Sequence, residues 1–419
     1  MSAKSQGPAL TIVSGGSRPA PARQPPGEEV ARSSAYLRQV NERTVFRRVC
    51  QLAPASVAQL VQDTGLSKPT VGLALSRLEE LGLIERVGRR TGSAGRAPQT
   101  FALRAEAGWV VSVDVGRRWV GVLLADLSGT IAAQLRRRSP GTAQGLVDQI
   151  GSLVEEVLPD ASAAENALSV VVGSPGVYDA NDRRVRHASN LPGWERPELV
   201  ASLRERLGEQ ITFENDVDLA ALGEQAFGLG RGVDDFVYLS IGSGLGIGSV
   251  LGGRLHRGAH GTAGEMAFLP VVDPPNGPAG KAALRQGLLE SAAAADGLVT
   301  AAQQFGLAEA RRPEDVLAAA RAGHAGAVRA MQAEVNYLTR ALSSVVALLD
   351  PELVVLGGGV GRNLGEYLPA LEQSLGELIP LPQPRFAISA LGDDAVLLGG
   401  LAAGLSAARE RALERVQEK

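Results

Sequence analysis

The stretch "VDVGRRWVGVLLADLSG", Val113–Gly129, is the strongest indication of how the main part of this chain folds. Apolar residues on both sides of a short polar break predict a strand, a tight turn and a second strand. Asp114 and Gly116 at the turn are typical of a backbone that approaches a phosphate closely. However, Arg117 and Arg118 follow, where a phosphate cradle would carry glycine and a hydroxyl. The hairpin is therefore either a nucleotide site or the remains of one.

Similar apolar runs recur after Gly108 and alternate with helical stretches. The runs are "WVVSVDV", "ALSVVVGSPG", "FVYLSIG" and "LVVLGGG", and the predicted helices are Gly145–Leu158, Pro197–Leu207, Asp218–Phe227 and Ala327–Leu349. This alternation predicts an α/β domain, which we place at residues 105–419. Residues 1–35 are rich in Pro, Gly, Ser and Ala and are expected to be a disordered leader. Residues 36–104 form a further domain.

The composition indicates a globular protein with an aliphatic core. Of the 419 residues, 45% are hydrophobic, 21% are charged and only 4% are aromatic. The single cysteine, Cys50, excludes an intramolecular disulfide and is typical of a reducing compartment. No apolar run approaches the roughly 20 residues that span a bilayer, and the N-terminus has no compact apolar core of a secretory signal. We therefore expect a cytoplasmic protein.

Charge is unevenly distributed, although the whole chain carries a net charge of only −3. Residues 1–104 contain 15 basic and 7 acidic side chains, a net of +8, whereas the remainder contains 27 basic and 38 acidic side chains, a net of −11. A basic front end on an acidic domain is typical of a protein that faces nucleic acid. The alternative is that these basic residues lie in a disordered leader or on a solvated helix face, and charge alone does not decide.

The segment from Ala55 to Leu103 predicts a winged helix-turn-helix. Ser56 can cap a short helix that Gly65 ends, and Ser67 can cap the next one. Pro69 lies in the first turn of that second helix, where its missing N–H is tolerated. The apolar residues of the second helix with the spacing of a buried stripe are Val71, Leu75 and Leu78. The residues left to face the major groove of double-stranded DNA are Lys68, Thr70, Leu73, Ser76 and Arg77.

A basic loop follows this helix and predicts the wing. "LGLIERVG" is typical of a strand and "FAL" of its return partner, and Arg89, Arg90 and Arg96 crowd the loop between them. Arginine on a slender, glycine-flanked loop suits a narrow minor groove, whose negative potential attracts it. The alternative is a winged helix used only for protein contacts, and it leaves these arginines unexplained.

Five motifs in order behind this module resemble the ROK family of repressors and sugar kinases. They are "VGSPGVYD" at 172–179, "NLPGW" at 190–194, "ENDVDLAALGE" at 214–224, "IGSGLGIGSVLGGRLHRGAHGTAGEM" at 241–266 and "DPELVVLGGGV" at 350–360. The resemblance covers about Ala35 to the C-terminus. It implies a winged helix-turn-helix in front of a two-lobed, kinase-derived domain of the actin/hexokinase fold, which is ribonuclease H-like. Each motif alone is weak, but five in this order are specific.

The resemblance also implies which residues bind a sugar. Asn215 and Asp216 match the pair that holds sugar hydroxyls, and in the kinases this Asp is the general base. Glu265 matches the sugar-contacting Glu of the "AGE" motif, and Glu290 matches the Glu that closes the family's cysteine-rich segment. Carboxylates and amides share hydrogen bonds with hydroxyls in a partly dry pocket. Without the resemblance, a turn or a helix cap would be the preferred interpretation of Asn215 and Asp216.

Two departures from the family pattern bear on chemistry. The family's zinc site needs a His three residues after the "AGE" Glu and then three Cys, but Phe268 stands at that position and the segment up to Glu290 contains no Cys or His. We therefore expect no zinc. The kinases carry Asp-x-Gly-Gly-Thr at the first hairpin, where Arg117 and Arg118 would here occupy the space that phosphates need. We therefore expect neither ATP binding nor phosphoryl transfer.

These features predict a DNA-binding transcriptional regulator, a repressor of sugar-metabolism genes, whose sugar-sensing domain is not catalytic. We expect a homodimer or homotetramer on a double-stranded operator, since operators are symmetric. Two alternatives stay open. An ATP-dependent sugar kinase with an added DNA-binding domain is favoured by the intact Asp216 and the glycine loops. A regulator whose signal is a partner protein is favoured by the lost His and zinc ligands.

Overall fold

The computed structural model describes residues 26–89, 99–160, 163, 166–179, 182–188, 191, 193–274 and 276–417. The main-chain elements are a small N-terminal module, which we call the head, and a larger part with two five-stranded sheets, which we call the body. Within the described ranges, no helix combines the length and the apolar character that crossing a membrane requires.

The head is a winged helix-turn-helix. Its helices are α1 (Pro26–Leu52), α2 (Val57–Thr64) and α3 (Lys68–Glu80), and its strands are β1 (Ala55–Ser56), β2 (Ile84–Arg89) and β3 (Gln99–Leu103). The strands pair antiparallel in the order β1-β3-β2. Residues 26–35 are helical, whereas the sequence predicted a disordered leader up to residue 35. Pro26 at the first helical position and the two acidic residues of the first turn favour a helix start, a local signal that composition hides.

Local caps determine where α2 and α3 begin and end, as the sequence predicted. The Ser56 side chain accepts from the backbone N–H of Gln59, whose own side chain accepts from the backbone N–H of Ser56. Gly65 ends α2 in a left-handed conformation with φ of 69°. Ser67 caps α3 by accepting from the backbone N–H of Thr70. The predicted stripe is buried in the head, with Val71 and Leu78 fully buried and Leu75 nearly so.

The first lobe of the body is built on a five-stranded sheet with the order β10-β7-β4-β5-β6. Its strands are β4 (Trp109–Val115), β5 (Trp119–Asp126), β6 (Ile131–Arg138), β7 (Ala167–Ser174) and β10 (Ile211–Asn215). Between them lie α4 (Ala143–Val157), a small ribbon of β8 (Val177–Asp179) and β9 (Arg184–Arg186), and α5 (Pro197–Leu207). The predicted hairpin forms β4 and β5, which pair antiparallel, while β7 and β10 run parallel to β4. Helix α4 begins two residues before its predicted start because Thr142 caps it.

The second lobe is built on a sheet with the order β13-β12-β11-β14-β15. Its strands are β11 (Phe236–Ile241), β12 (Leu245–Leu251), β13 (Arg254–Leu255), β14 (Leu353–Gly357) and β15 (Arg385–Ile388). Its helices are α6 (Asp216–Phe227), α7 (Pro278–Gln286), α8 (Leu288–Ala293), α9 (Ala295–Gln304), α10 (Pro313–Arg321), α11 (Ala325–Leu349), α12 (Gly358–Gly361) and α13 (Leu368–Leu378), and the chain ends in α14 (Ala395–Gln417). Helices α6 and α11 each begin two residues before their predicted starts.

Helices α6 and α14 form the layer that joins the two lobes. Helix α14 packs against β4 and β7 of the first sheet, α6 packs against β12 of the second, and the two helices pack against each other. Glycine is required at this crossing. A Cβ at Gly399 would collide with the carbonyl oxygen of Leu219, and a Cβ at Gly223 would collide with that of Ala395. The lobes are therefore coupled through a close backbone contact between α6 and α14.

The head contacts α14, most directly through ion pairs to the C-terminal half of this helix. One continuous apolar cluster contains Phe46 and Leu78 of the head together with Leu401, Leu405 and Leu413 of α14. At its edge, Nε of Arg47 lies 2.6 Å from Oε1 of Glu410, and Nε of Arg43 lies 3.4 Å from Oε2 of Glu410. A single helix thus contacts the head at one end and α6 at the other.

Candidate functional site

A cleft of about 360 Å³ opens between the two lobes. The β4–β5 turn and the end of β10 line it from the first lobe, and the β11–β12 turn, α8 and α12 line it from the second. Its volume is in the range of sites that hold small molecules. The cleft brings together all four residues that the sequence predicted to bind a sugar: Asn215, Asp216, Glu265 and Glu290.

Asn215 and Asp216 stand where β10 ends and α6 begins. Asn215 caps α6, because its Oδ1 accepts from the backbone N–H groups of Val217 at 2.9 Å and Asp218 at 3.1 Å. Its Nδ2 donates to the carbonyl oxygen of Gly176 at 3.0 Å. Asp216 accepts from the backbone N–H of Val217 through Oδ1 at 2.9 Å. Asn215 therefore has a capping role in the fold, and Asp216 is held at the first turn of α6, on the wall of the cleft.

Two glutamates line the cleft from the second lobe. Glu265 directly precedes a short 3-10 turn, Met266–Phe268. Glu290 lies on α8, where its Oε2 accepts from the backbone N–H of Leu245 at 3.1 Å and its Oε1 accepts from Nε2 of Gln286 at 3.4 Å. Glu290 therefore also positions the β11–β12 turn at the cleft.

Burial raises the pKa of each carboxyl group in this cluster. The pKa of Asp114 is raised to about 7 by burial and by the charge of Asp216. The pKa of Glu265 is raised to about 7 by burial and by the charges of Asp216 and Glu290, and that of Asp216 is raised to about 6 by burial. Near neutral pH the cleft therefore holds protonated carboxyls that donate hydrogen bonds beside carboxylates that accept them. This mixture suits a ligand whose hydroxyls both donate and accept.

One residue that lines the cleft and one buried acidic residue beside it were not predicted from the sequence. His187 lines the cleft after β9, and no sequence signal marked it. Asp218 is almost fully buried in α6, near an ion pair in which Nε of Arg257 lies 2.9 Å from Oε2 of Glu214. Burial and the charge of Glu214 raise the pKa of Asp218 to about 8, against the opposing effect of Arg257. The sequence spacing did not mark Asp218, because residues two apart on a helix face different directions.

The side of the cleft next to Gly116 is crossed by an arginine. Nη1 of Arg117 lies 3.4 Å from Oδ2 of Asp296 on α9, so this ion pair links the β4–β5 turn of the first lobe to the second lobe. Arg118 lines the cleft beside it. Both arginines therefore line the cleft at the β4–β5 turn, the position that carries glycine and a hydroxyl in the kinase pattern.

A second link between the lobes lies at the same end of the cleft. The carboxylate of Asp393, just before α14, accepts from Nη1 of Arg362 at 2.6 Å, and Arg362 directly follows the glycine-rich α12. The backbone oxygen of Asp393 accepts from Nη2 of Arg136 on β6, also at 2.6 Å. The start of α14 is thus attached to both lobes beside the cleft.

Helix α3 presents its predicted DNA-facing residues on the outside of the head. The exposed ones are Lys68, Leu73, Ser76 and Arg77. Thr70 is half-buried, and its hydroxyl lies 2.8 Å from Oγ of Ser67, so it is partly engaged in capping. Nη1 of Arg77 lies 3.3 Å from Oε2 of Glu80, an exposed pair of little energetic weight.

The predicted wing is only partly described. Arg89 is the last residue of β2, opposite Gln99 of β3. Arg90 and Arg96 lie outside the described residues.

The segment after Glu265 does not fit a structural zinc. Phe268 occupies the position of the expected His, and about half of its surface is exposed. In the described part of the chain, no group of three or more His, Cys, Asp and Glu side chains is arranged to hold a metal ion. Zinc requires about four nitrogen, sulfur or oxygen ligands in a tetrahedral arrangement.

Comparison with known proteins relates both parts of the chain to one group. The sequence profile of the ROK family matches residues 110–405. The xylose repressor of Bacillus subtilis (strain 168) is 27% identical over 330 residues, which cover 78% of this chain and 83% of the repressor. The glucokinase of Thermotoga maritima is 32% identical over 311 residues, which cover 69% of this chain and 95% of the glucokinase.

One solved structure extends the likeness to the head. It is the crystal structure of a ROK family transcriptional regulator, a homologue of the E. coli MLC protein, and its TM-score to this chain is 0.71 at 24% identity. The match covers 91% of this chain and 100% of that one. The fold is therefore shared over nearly the whole length.

Proposed function

Because the chain belongs to the ROK family, we propose that it is a transcriptional repressor that binds an operator through its head and a sugar in its cleft. One observation carries the proposal: a single chain contains both an exposed helix of a helix-turn-helix and a cleft lined by carboxylates. Helix α14 connects the two, because it contacts the head and packs against α6, which carries the cleft residue Asp216. The similarity to a xylose repressor supports a pentose or hexose as the effector.

The head supplies the DNA contacts in this proposal. Lys68 and Arg77, at the two ends of the exposed face of α3, are suited to phosphate oxygens or to guanine edges in the major groove. The arginines predicted in the wing, Arg89, Arg90 and Arg96, would add contacts along the backbone or the minor groove. The net charge of +8 over residues 1–104 favours this encounter. A symmetric operator would be bound by a homodimer or a homotetramer.

The cleft supplies the sugar contacts. Asp216 presents its carboxyl from the end of the first-lobe strand β10, and Glu265 and Glu290 present theirs from the second lobe, so a bound polyol would hydrogen-bond across the cleft and favour its closure. Asn215 keeps one N–H of its amide for a ligand, because its other polar atoms hold α6 and Gly176. His187 adds a group that can donate or accept, according to its tautomer.

Helix α14 is the proposed connection between the two sites. Its start is attached to both lobes through Asp393, its second turn crosses α6 at Gly399, and its last part contacts the head through Glu410. A packed core transmits displacement because it cannot be compressed. Closure of the lobes would therefore shift α14 and, with it, the placement of the two heads of an oligomer on DNA.

Catalysis is not part of the proposed function. Phosphoryl transfer depends on positioning and on charge stabilisation around the phosphates. Here Arg117 and Arg118 line the cleft at the turn where the kinase pattern carries glycine and a hydroxyl, and Arg117 also pairs with Asp296. We therefore propose that ATP is not a cofactor of this chain and that it transfers no phosphoryl group.

A specific observation favours a second candidate function, that of an ATP-dependent sugar kinase with a DNA-binding head. Asp216 is held on the cleft wall with a pKa raised to about 6, close to the value at which a carboxylate serves as a general base near neutral pH. Glucokinases are among the relatives. The Arg117–Asp296 pair is the observation that opposes this function.

We also propose that the chain carries no structural zinc. The proposal rests on the absence of Cys and His between Phe268 and Glu290. Metal analysis of protein purified without chelator should find no stoichiometric zinc. One tightly bound zinc per chain would show that another part of the chain supplies the ligands.

The experiment that tests the proposed function uses the full chain in three assays. A duplex is first selected from a random-sequence DNA library, and its affinity is then measured by fluorescence anisotropy with and without xylose, glucose and related sugars. Parallel samples with ATP are assayed for sugar phosphate. The proposal expects a specific duplex, a sugar that changes its affinity, and no turnover. Turnover that disappears in Asp216→Ala would establish the kinase instead, and a specific duplex that no sugar affects would favour a partner protein as the signal.

A further inference from the structure

Leu73 is an apolar side chain at the centre of the outer face of α3. With 74% of its surface exposed, it takes no part in the head's core, which uses the opposite face of the helix. Its neighbours one turn away are Pro69 and Ser76, which are short, and Thr70 and Arg77, so the leucine projects beyond the short residues on one side and lies beside the arginine on the other. A single exposed leucine is common on protein surfaces and proves nothing by itself.

Gly72, the preceding residue, provides a second and independent observation. A glycine inside a helix costs about 1 kcal/mol of stability relative to alanine. Packing does not explain this cost, because a Cβ at Gly72 would meet no atom within 4 Å and its φ is not in the left-handed region. The head would therefore be more stable with alanine here. The missing side chain leaves the outer surface of α3 flat next to Leu73.

The major groove of DNA offers one apolar group on a base edge, the C5-methyl of thymine. A flat, small-residue surface lets a helix approach the floor of the groove, and a projecting leucine beside it can cover that methyl. The polar neighbours Ser76 and Arg77 on the same face can bond to adjacent bases or phosphates. The surface around Leu73 therefore has the shape and the chemistry of a site that reads thymine.

We propose that Leu73 is a specificity-determining residue that recognises a thymine in each half-site of the operator, and that Gly72 allows the close approach this contact needs. The proposal rests on the proposed DNA-binding function and adds one feature of the sequence that is read. Removing the C5-methyl of the contacted thymine from one half-site should weaken operator binding about fourfold. Removing it from both half-sites of a symmetric operator should weaken operator binding about 16-fold.

The test compares thymine with deoxyuridine, which lacks only the C5-methyl. Full-length protein is titrated against the selected duplex and against duplexes in which one thymine per half-site is replaced, one position at a time. Wild-type protein should lose affinity at one position, and Leu73→Ala should bind more weakly and no longer distinguish thymine from deoxyuridine there. Leu348→Ala, an exposed leucine on α11 of the body, is the matched control and should distinguish them as wild type does.

Gly72→Ala provides a second readout, since it should raise the head's thermal stability and yet weaken binding to the selected duplex. Identical thymine-to-deoxyuridine ratios for wild type and Leu73→Ala at every position would overturn the inference while leaving operator binding intact. A Leu73→Ala variant that changes the mass of the oligomer but keeps the thymine preference would equally overturn it, in favour of a protein contact. If wild type selects no duplex at all, the proposed function itself fails.

Discussion

Substitution of Gly399 by alanine tests the crossing of α6 and α14, on which the connection between cleft and head depends. The new Cβ would collide with the carbonyl oxygen of Leu219, at a distance well below the 3.0 Å that real Cβ contacts keep. Backbone cannot rotate away as a side chain can, so the two helices must separate. A separation of roughly 1 Å forfeits a quarter to a half of the dispersion energy of each contact along the interface. We expect Gly399→Ala to lose about 3 kcal/mol or more of unfolding free energy, at the upper end of the range for overpacked cores.

Gly376→Ala is the matched control, because it is the same substitution in a helix where a Cβ meets nothing within 4 Å. This variant should gain up to about 1 kcal/mol, the difference in helix propensity between glycine and alanine. Urea unfolding of the three proteins, followed by circular dichroism, measures both effects. Sugar affinity of folded Gly399→Ala should also fall, because α6 carries Asp216 at its first turn. Equal stability of Gly399→Ala and Gly376→Ala would refute the close crossing of the two helices.

Three further predictions concern the cleft and its connection to the head. Asp216→Asn should abolish sugar-induced release of the operator and leave operator affinity near wild type, as measured by anisotropy; an unchanged sugar response in both Asp216→Asn and Glu265→Gln would exclude the cleft as the sensor. Burial raises the pKa of Asp218 from 3.8 to about 8, so its ionisation removes folded-state stability as pH rises through that interval. Calorimetry at a series of pH values should therefore show that Asp218→Asn gains stability relative to wild type as pH rises from 5 to 8, roughly the interval between the two pKa values. A stability difference between the two proteins that does not change with pH would contradict the burial of this carboxyl. Glu410→Gln removes two exposed ion pairs worth at most about 1 kcal/mol each, or about 2 kcal/mol together, so the sugar-dependent change in operator affinity should shrink by up to about 30-fold. An unchanged response would show that these pairs do not contribute to the connection.

The sequence was sufficient for features with local causes. The start and end of α2 and α3 follow from Ser56, Gly65 and Ser67, each of which bonds within a few residues of itself. The α/β body followed from alternating apolar runs, whereas the cleft residues followed only from the resemblance of five motifs to the ROK family. Helix α1 begins at Pro26, inside the segment predicted to be a disordered leader. The Pro- and Gly-rich composition of that segment hides the helix-start signal at Pro26.

The features that the sequence could not provide are long-range. The contact of Arg47 with Glu410 joins residues 363 positions apart, and no periodicity or spacing connects them. The extension of Arg117 to Asp296 likewise depends on how the lobes face each other. Asp218 has the same residue type and a position similar to Asp216, and only the packing of α6 reveals that it is buried.

If the proposed function is correct, sugar binding in the cleft and operator binding by the head are coupled, and reciprocal titration measures this coupling. The sugar's dissociation constant is measured by calorimetry on free protein and on protein saturated with the selected duplex. The operator's dissociation constant is measured with and without saturating sugar. If the two sites are coupled, both ratios must be equal, and coupling energies of this kind are typically about 1–3 kcal/mol, or roughly 5- to 150-fold. We expect the sugar's dissociation constant to rise on the operator complex by the same factor by which sugar raises the operator's dissociation constant. A sugar dissociation constant that is the same on free and operator-bound protein would refute the coupling.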